Sequence, residues 1–386
     1  VDLGNLYHEA LERYSKKLEE AGRDWFSVSR EESDVLLAES IEETVQAMQE
    51  IRILDSARET YILERMRRTL KRTVWALTHQ IRQGTFAPRH FEISLSELSG
   101  HPLSYELSDD ARLRMSGIID RMDVFEKEDT IFIKIIDYKS GDLDFVISDV
   151  YEGLQLQLIL YMKVATDVTR RSAPQKQVVP AAVLYYQVKD PVVKVKNQPT
   201  AEEISQLIQK ELRQKGVVCD NEEVLAALDQ GLAQAKAEGK NYTSIVVPVG
   251  VNKNGSLAAF SHTVSPENFE LLGRYVEKNV MDFGEEIMQG EISAQPFRKA
   301  NGGTGCDFCA FHSVCGMDTK LGGYGFRKLL EEKDADVVLS LMRQRLGEGH
   351  GMDEGAAQGN RSERNGYPGV GGGRKRQDGR AGRTNH

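Results

Sequence analysis

The sequence predicts an α/β protein: a helical lead-in, a mixed sheet flanked by helices, and a C-terminal segment closed by a cysteine-bound metal. Three observations carry that reading. Apolar residues recur at helical spacing over the first 83 positions, the period drops to two from about residue 88, and three of the four cysteines fall within ten residues. With 386 residues, 40% of them hydrophobic and 28% charged, the chain can bury the core of two or three domains.

Residues 3–21 set Leu3, Tyr7, Leu11, Tyr14 and Leu18 on one helical stripe. An acidic amphipathic helix follows at about 31–55. A third, at about 57–83, repeats Ile62, Met66, Leu70, Val74, Leu77 and Ile81. Its other side carries Arg65, Arg68, Lys71 and Arg72, either a solvated helix face or a surface that tracks phosphates. Strands are expected at 89–95, 112–126 and 130–139, the last two joined by the polar turn Glu126-Lys127-Glu128-Asp129. A helix at about 151–168 and a strand from Val178 to Val188 complete a first unit, residues 1–190. Helices at about 201–215 and 222–237 and a strand near 243–248 read as a peripheral insertion within 191–290, which ends in a long helix at about 265–289. Residues 291–346 hold the cysteines and a closing helix at about 325–345. The remainder, 347–386, has 12 glycines and seven Lys or Arg, and is expected to be a disordered basic tail. Its composition shifts abruptly enough to suggest a reading-frame artefact, and the start at Val1 suggests a piece of a longer protein.

No run approaches the ~20 apolar residues of a membrane span, and no basic-then-apolar leader opens the chain. The expected location is cytoplasmic. Fifty basic against 59 acidic side chains, a net charge of −9, exclude a general polyanion binder. Nucleic-acid contact would need a local basic strip or bound metal ions.

The chemistry-bearing residues cluster at strand ends. Asp137 and Lys139 share a strand face with Ile131, Ile133 and Ile135, whereas Asp120 lies with Ile118, Met122 and Val124, and Asp123 lies opposite. Such charges on apolar faces are costly to bury unless they pair or hold a cation, so a structural Asp–Lys ion pair is the plain alternative. Gln157 and Tyr161 share one helix face and can reach a phosphate or a metal-bound water. His8 lies one turn after Gly4, and Glu92 is a further carboxylate on a strand. Cys306, Cys309 and Cys315 form C-x2-C-x5-C, a spacing that suits zinc or iron–sulfur and needs a fourth ligand either way. Cys219 is expected in a helix-flanking loop, with a structural role. Gly250 to Ser256 imitates a phosphate loop in spacing but lacks the lysine before the serine, so the chain is not a motor on its own.

Four ordered pieces resemble the RecB-type nucleases of the PD-(D/E)XK, or restriction-endonuclease-like, superfamily: G-x-x-x-H at Gly4–His8, G-x-x-D-R-x-D at Gly117–Asp123, D-Y-K-S-G at Asp137–Gly141 and Q-x-x-x-Y at Gln157–Tyr161. With the cysteines, they are similar to the nuclease portion of the AddB family, deoxyribonuclease subunits of bacterial AddAB helicase–nucleases. The resemblance implies a Mg2+-dependent exonuclease that hydrolyses single-stranded DNA unwound by an AddA-like partner, in double-strand-break repair by recombination. It implies Asp120 and Asp137 as Mg2+ ligands, with the Tyr138 carbonyl as a third, His8 near the metal and Glu92 a weaker candidate. Lys139 would orient or deprotonate the attacking water, and Gln157 and Tyr161 would position the phosphate or the metal's water shell. The strand would enter along a basic groove that includes Arg65, Arg68 and Arg72. A 4Fe–4S cluster is implied with three of its four ligands here, Cys306, Cys309 and Cys315; the family's first cysteine precedes the nuclease domain, and none occurs in this chain before Cys219. The competing readings are a standalone RecB-like iron–sulfur exonuclease of the CRISPR-associated kind, a catalytically silent DNA-binding scaffold, and a zinc-bound interaction module.

Overall fold

A computed structural model of the chain describes residues 3–51, 57–108, 110–195 and 198–348. The lead-in is α1 (Leu3–Glu20), α2 (Arg30–Ile51) and α3 (Ala57–Arg82). The stripe read from sequence is the buried one: Tyr7, Leu11, Tyr14 and Leu18 in α1, and Met66, Leu70, Val74, Leu77 and Ile81 in α3. Next come β1 (Ala87–Ser94), α4 (Leu95–Ser99), β2 (Leu103–Ser108), β3 (Ala111–Met115), β4 (Ile118–Lys127), β5 (Thr130–Lys139), α5 (Ile147–Tyr151), α6 (Leu156–Ser172) and β6 (Gln177–Gln187). Beyond lie α7 (Ala201–Glu211), β7 (Lys215–Cys219), α8 (Glu222–Leu228), α9 (Gln230–Glu238), β8 (Tyr242–Thr243), β9 (Gly250–Val251), β10 (Thr263–Val264) and α10 (Pro266–Met288). The last elements are β11 (Phe297–Arg298), α11 (His312–Cys315), β12 (Arg327–Lys328) and α12 (Ala335–Arg345).

The central sheet is mixed, in the order β1-β4-β5-β6-β7-β10. Its middle pair, β5 and β6, is parallel, so α6 serves as the crossover that a parallel pair requires. β5 and β6 are buried along almost their whole length, because helices cover both faces. The fold is thus the α/β sheet flanked by helices that the sequence implies.

Several elements differ from expectation. The strand read at 112–126 divides at Ser116-Gly117; β3 leaves the central sheet and pairs with β2, and only β4 continues in it. The helix read at 151–168 begins only at Leu156, as α6, and a separate short helix, α5, ends at Tyr151 before Gly153 and Gln155 at φ 82° and 49°. Asp229 breaks the helix read at 222–237, its carboxylate capping α9 through Gly231 N–H at 2.9 Å. The segment read as a peripheral insertion adds β7 and β10 to the central sheet. Cys219 therefore lies fully buried at the end of β7, not in a loop, because Val217 and Val218 extend the sheet. The strand near 243–248 is reduced to two residues, because Ser244 Oγ accepts from Val246 and Val247 N–H and turns the chain. The closing helix begins only at Ala335, and Gly250–Ser256 is a tight turn after β9, not a loop leading into a helix. The tail, from residue 349 on, lies outside the described residues. Among those described, no helix is long and apolar enough to cross a membrane.

On the sheet face opposite Asp120 and Asp137, a second charge cluster is sealed in the core. Arg121 donates to both oxygens of Asp123 at 2.6 and 2.7 Å, and Lys134 Nζ lies 2.8 Å from Asp123. The Arg121 guanidinium also lies over Trp25 and Phe91, which fixes the α1–α2 turn to the sheet. Removing Asp123 would leave two buried cations unpaired. Asp123→Ala should therefore destabilise the fold by about 3–5 kcal/mol, read as a lower urea midpoint at unchanged slope. A loss below about 1 kcal/mol would show that this cluster does not tie the sheet together.

Candidate active site

The site forms where β4 and β5 run side by side. Their register pairs Arg121 with Ile136, so one step along brings Asp120 beside Asp137. Both are buried, at 8% and 2% exposure. Burial and then the neighbouring Asp137 charge push the Asp120 carboxyl up to about 7. Asp137 is raised as well, chiefly by burial, against the opposing pull of Lys139. Two carboxylates that resist ionising together keep a proton between them or take up a cation.

Three further elements bring partners. α1 delivers His8, whose Nδ1 lies 2.9 Å from Glu92 Oε1 and 3.4 Å from Asp120 Oδ2. His8 Nε2 lies 3.2 Å from the Tyr138 carbonyl oxygen. With Nδ1–H donated to Glu92, a neutral ring would face that carbonyl lone pair to lone pair. His8 must then be an imidazolium or share a cation with the carbonyl, in keeping with its raised pKa: burial opposes the charge, and Glu92, Asp120 and Asp137 favour it. Among the described residues, His8, Glu92 and Asp120 are the one group of three or more such side chains with ligand atoms within 4.8 Å of one another. Asp120 Oδ2 also accepts from Tyr138 N–H at 2.6 Å. Lys139 Nζ lies 2.6 Å from Asp137 Oδ2, but off the direction of a hydrogen bond, so among the described residues this buried oxygen has no hydrogen-bond partner. A buried carboxylate oxygen whose close partner is the Lys139 ammonium alone, beside a histidine, a second carboxylate and a backbone carbonyl, fits a hard divalent cation.

α6 supplies the other wall. Gln157 Nε2 donates to the Tyr161 hydroxyl at 3.1 Å. Tyr161 packs over Gly117, where an added Cβ would meet its hydroxyl at 2.6 Å. The glycine that opens one sequence piece thus makes room for the tyrosine that closes another. The sequence-predicted residues His8, Glu92, Asp120, Asp137 and Lys139, and Tyr161 with its partner Gln157, come to one end of the sheet. Cys306, Cys309 and Cys315 lie apart, on the turn before and through α11, half-buried to exposed, and they form no comparably tight group. Cys219 is remote from them in kind: burial pushes its thiol up to about 11.

Sequence reasoning missed what holds the segment after Lys139. Lys215, from β7, pairs with Asp142 and Asp144 at 2.8 and 2.7 Å. Gln187 donates to the Gly141 carbonyl and Asp142, and Gln155 spans Val146 N–H and the Asp144 carbonyl. No local pattern marks these residues, since their partners lie far along the chain. Glu92 shows a similar limit: its place beside Asp120 comes from the β1–β4 register, which pairs Phe91 with Arg121 and Ile93 with Ile119, and its backbone sits at φ 46°.

The raised Asp120 carboxyl gives a signed pH dependence. Between pH 4 and 7 the folded chain holds a proton here that the unfolded chain releases, so without metal this group removes stability as pH rises. Asp120→Asn cannot lose that proton. In chelator, the variant should gain on the parent across this window, by up to a few kcal/mol, in paired urea titrations. A constant difference from pH 4 to 7 would contradict the raised value.

Comparison with known proteins identifies the family of the chain. The PD-(D/E)XK nuclease superfamily matches over residues 1–316. Proteins named as subunits of ATP-dependent helicase/deoxyribonuclease are similar over most of the chain. That of Acetivibrio thermocellus is 33% identical over 344 residues, 89% of this chain and 29% of the relative. That of Clostridium tetani is 34% identical over 349 residues, 90% of this chain and 29% of the relative. That of Thermoanaerobacter sp. is 31% identical over 355 residues, 91% and 30% respectively. The chain therefore spans less than a third of the length of these relatives. With the family matched across most of its length, the chain belongs to the PD-(D/E)XK nuclease superfamily.

Proposed function

We propose that this chain is the nuclease portion of a larger helicase–nuclease, a Mg2+-dependent deoxyribonuclease acting on single strands delivered by a partner helicase, in the cytoplasm and in recombinational repair of broken DNA. The observation that carries the reading is the buried Asp120–Asp137 pair, with His8 and Glu92 beside Asp120 and the Lys139 ammonium 2.6 Å from Asp137. Asp120, Asp137, His8 and the Tyr138 carbonyl would hold the metal. Mg2+, when bound, supplies positive charge against the phosphate and acidifies a water.

The chain's own residues do the rest. Glu92 accepts from His8 Nδ1–H and so turns Nε2 toward the Tyr138 carbonyl. Lys139, exposed on one side, orients the attacking water and offsets charge on the phosphate. Gln157 and Tyr161, joined by their hydrogen bond, position the phosphate from above. The intact Asp120, Asp137 and Lys139 favour this reading over a catalytically silent scaffold.

Asp137→Ala should abolish Mg2+-dependent cleavage of end-labelled single strands, by about a hundredfold or more, with folding retained. Lys139→Ala should lose turnover to a similar degree yet still bind Mg2+ in calorimetric titration. Cleavage by Asp137→Ala at the parent rate would end the assignment, and loss of metal binding in Lys139→Ala would reassign the lysine.

Cys306, Cys309 and Cys315 would supply three ligands to an iron–sulfur cluster. The buried, proton-retaining Cys219 is not suited to be the fourth. Iron and sulfide analysis should show cluster content that falls in Cys309→Ser and is unchanged in Cys219→Ser. Zinc in place of iron would favour an interaction module instead.

A further inference from the structure

A cleft of about 410 Å3 lies away from the carboxylates, between α2 and α3. It is lined by Arg30, Arg68, Lys71, Arg72, Trp75 and His79, with Asp34 as its one acidic residue. Its floor is apolar, from Val28, Leu37 and Val74. Along α3, Arg72, Trp75 and His79 form a row of planar groups: the guanidinium lies 5.2 Å from the indole centroid, and the imidazole and indole stack at 6.4 Å and 24°. The indole is braced from behind by Ala76, Ile208 and Leu212.

We propose that this cleft is a second subsite for single-stranded DNA, in which bases lie against the Arg72–Trp75–His79 row and phosphates meet Arg30, Arg68 and Lys71. The proposal rests on the nuclease reading above and adds where the strand is held away from the metal. A planar row with cationic flanks is the arrangement that grips single strands without reading sequence. The cations are available for exchange. Arg68 and Arg72 pair with Asp190 at 3.0 and 3.3 Å, and Lys71 with Asp34 at 3.0 Å, but Arg68 and Lys71 are more than half exposed, and such pairs are weak.

The location suits a strand continuing to the site. Val188 N–H donates to the Lys139 carbonyl at 2.9 Å, and Asp190 lies two residues further, within about 7 Å of chain. The Asp190 contacts therefore bring the rim of the cleft to the sheet end that carries Asp137 and Lys139. Arg65, also on α3, is exposed but does not line the cleft.

The chain has two tryptophans, and Trp25 is buried at 4% exposure, so Trp75 reports on the cleft. In chelator, titration with a fluorescein-labelled oligothymidylate should quench tryptophan emission in step with rising polarisation. The affinity should fall with salt by about 0.7 in log–log slope for each phosphate held. Arg68→Ala with Lys71→Ala should weaken binding about tenfold or more and flatten that slope by about 1.4. Asp190→Ala should tighten binding, and Trp75→Phe should lose the quench while polarisation still rises. Absence of quenching, a double variant that binds like the parent, or an equal response to polyglutamate of matched charge would each overturn the proposal. Cleavage of the same oligonucleotide in Mg2+ without quenching at Trp75 would leave the nuclease reading standing and remove the cleft. Quenching without cleavage would do the reverse.

Discussion

Two aspartates forced side by side on adjacent strands, out of water, are the constraint on which this structure turns. Asp120 and Asp137 cannot both ionise at such a place without compensation, and the elements around them supply it in part. α1 brings the His8 ring, β1 pairs with β4 so that Glu92 stands beside Asp120, and the Tyr138 amide donates to Asp120. What is left over, a buried Asp137 oxygen held only by the Lys139 ion pair, suits a cation in terms of charge and lone pairs alike.

The same pair of strands carries a second set of buried charges on its other face, and the contrast separates architecture from chemistry. Asp123 has both oxygens satisfied by Arg121, adds Lys134, and lies at 0% exposure beneath aromatic rings. That cluster is closed and joins the α1–α2 turn to the sheet. The Asp120–Asp137 cluster opens to solvent at Lys139, about a third exposed. One aspartate of the D-R-x-D run is thus a strut and the other part of the site, and strand alternation decides which.

The C-terminal segment is tied back to this centre. Lys299 pairs with Asp149 at 2.7 Å, and Arg327 with Glu152 at 2.6 Å, both in the stretch that leads into α6. The position of the cysteine turn is thereby linked to the helix that carries Gln157 and Tyr161. Phe308, Phe311 and Val314 of that turn stand exposed, at 101%, 70% and 77%.

Much of the site was legible because its residues sit in short, ordered pieces whose strand and helix periods are strong. Parity alone put Asp137 with Lys139 and Asp123 opposite Asp120, and the four-residue spacing put Gln157 with Tyr161. The apolar stripes of α1 and α3 were equally plain. What sequence could not contain was the pairing of distant segments. The addition of β7 and β10 to the sheet, the division of the long strand at Gly117, the β1–β4 register that sets Glu92 beside Asp120, and the Lys215–Asp142 tether all depend on packing between residues far apart in the chain. Local pattern determined which residues are candidates for the chemistry and which face each occupies; only tertiary packing decided how His8 and Glu92 meet the aspartates, and that a cleft with Trp75 on its wall opens between α2 and α3.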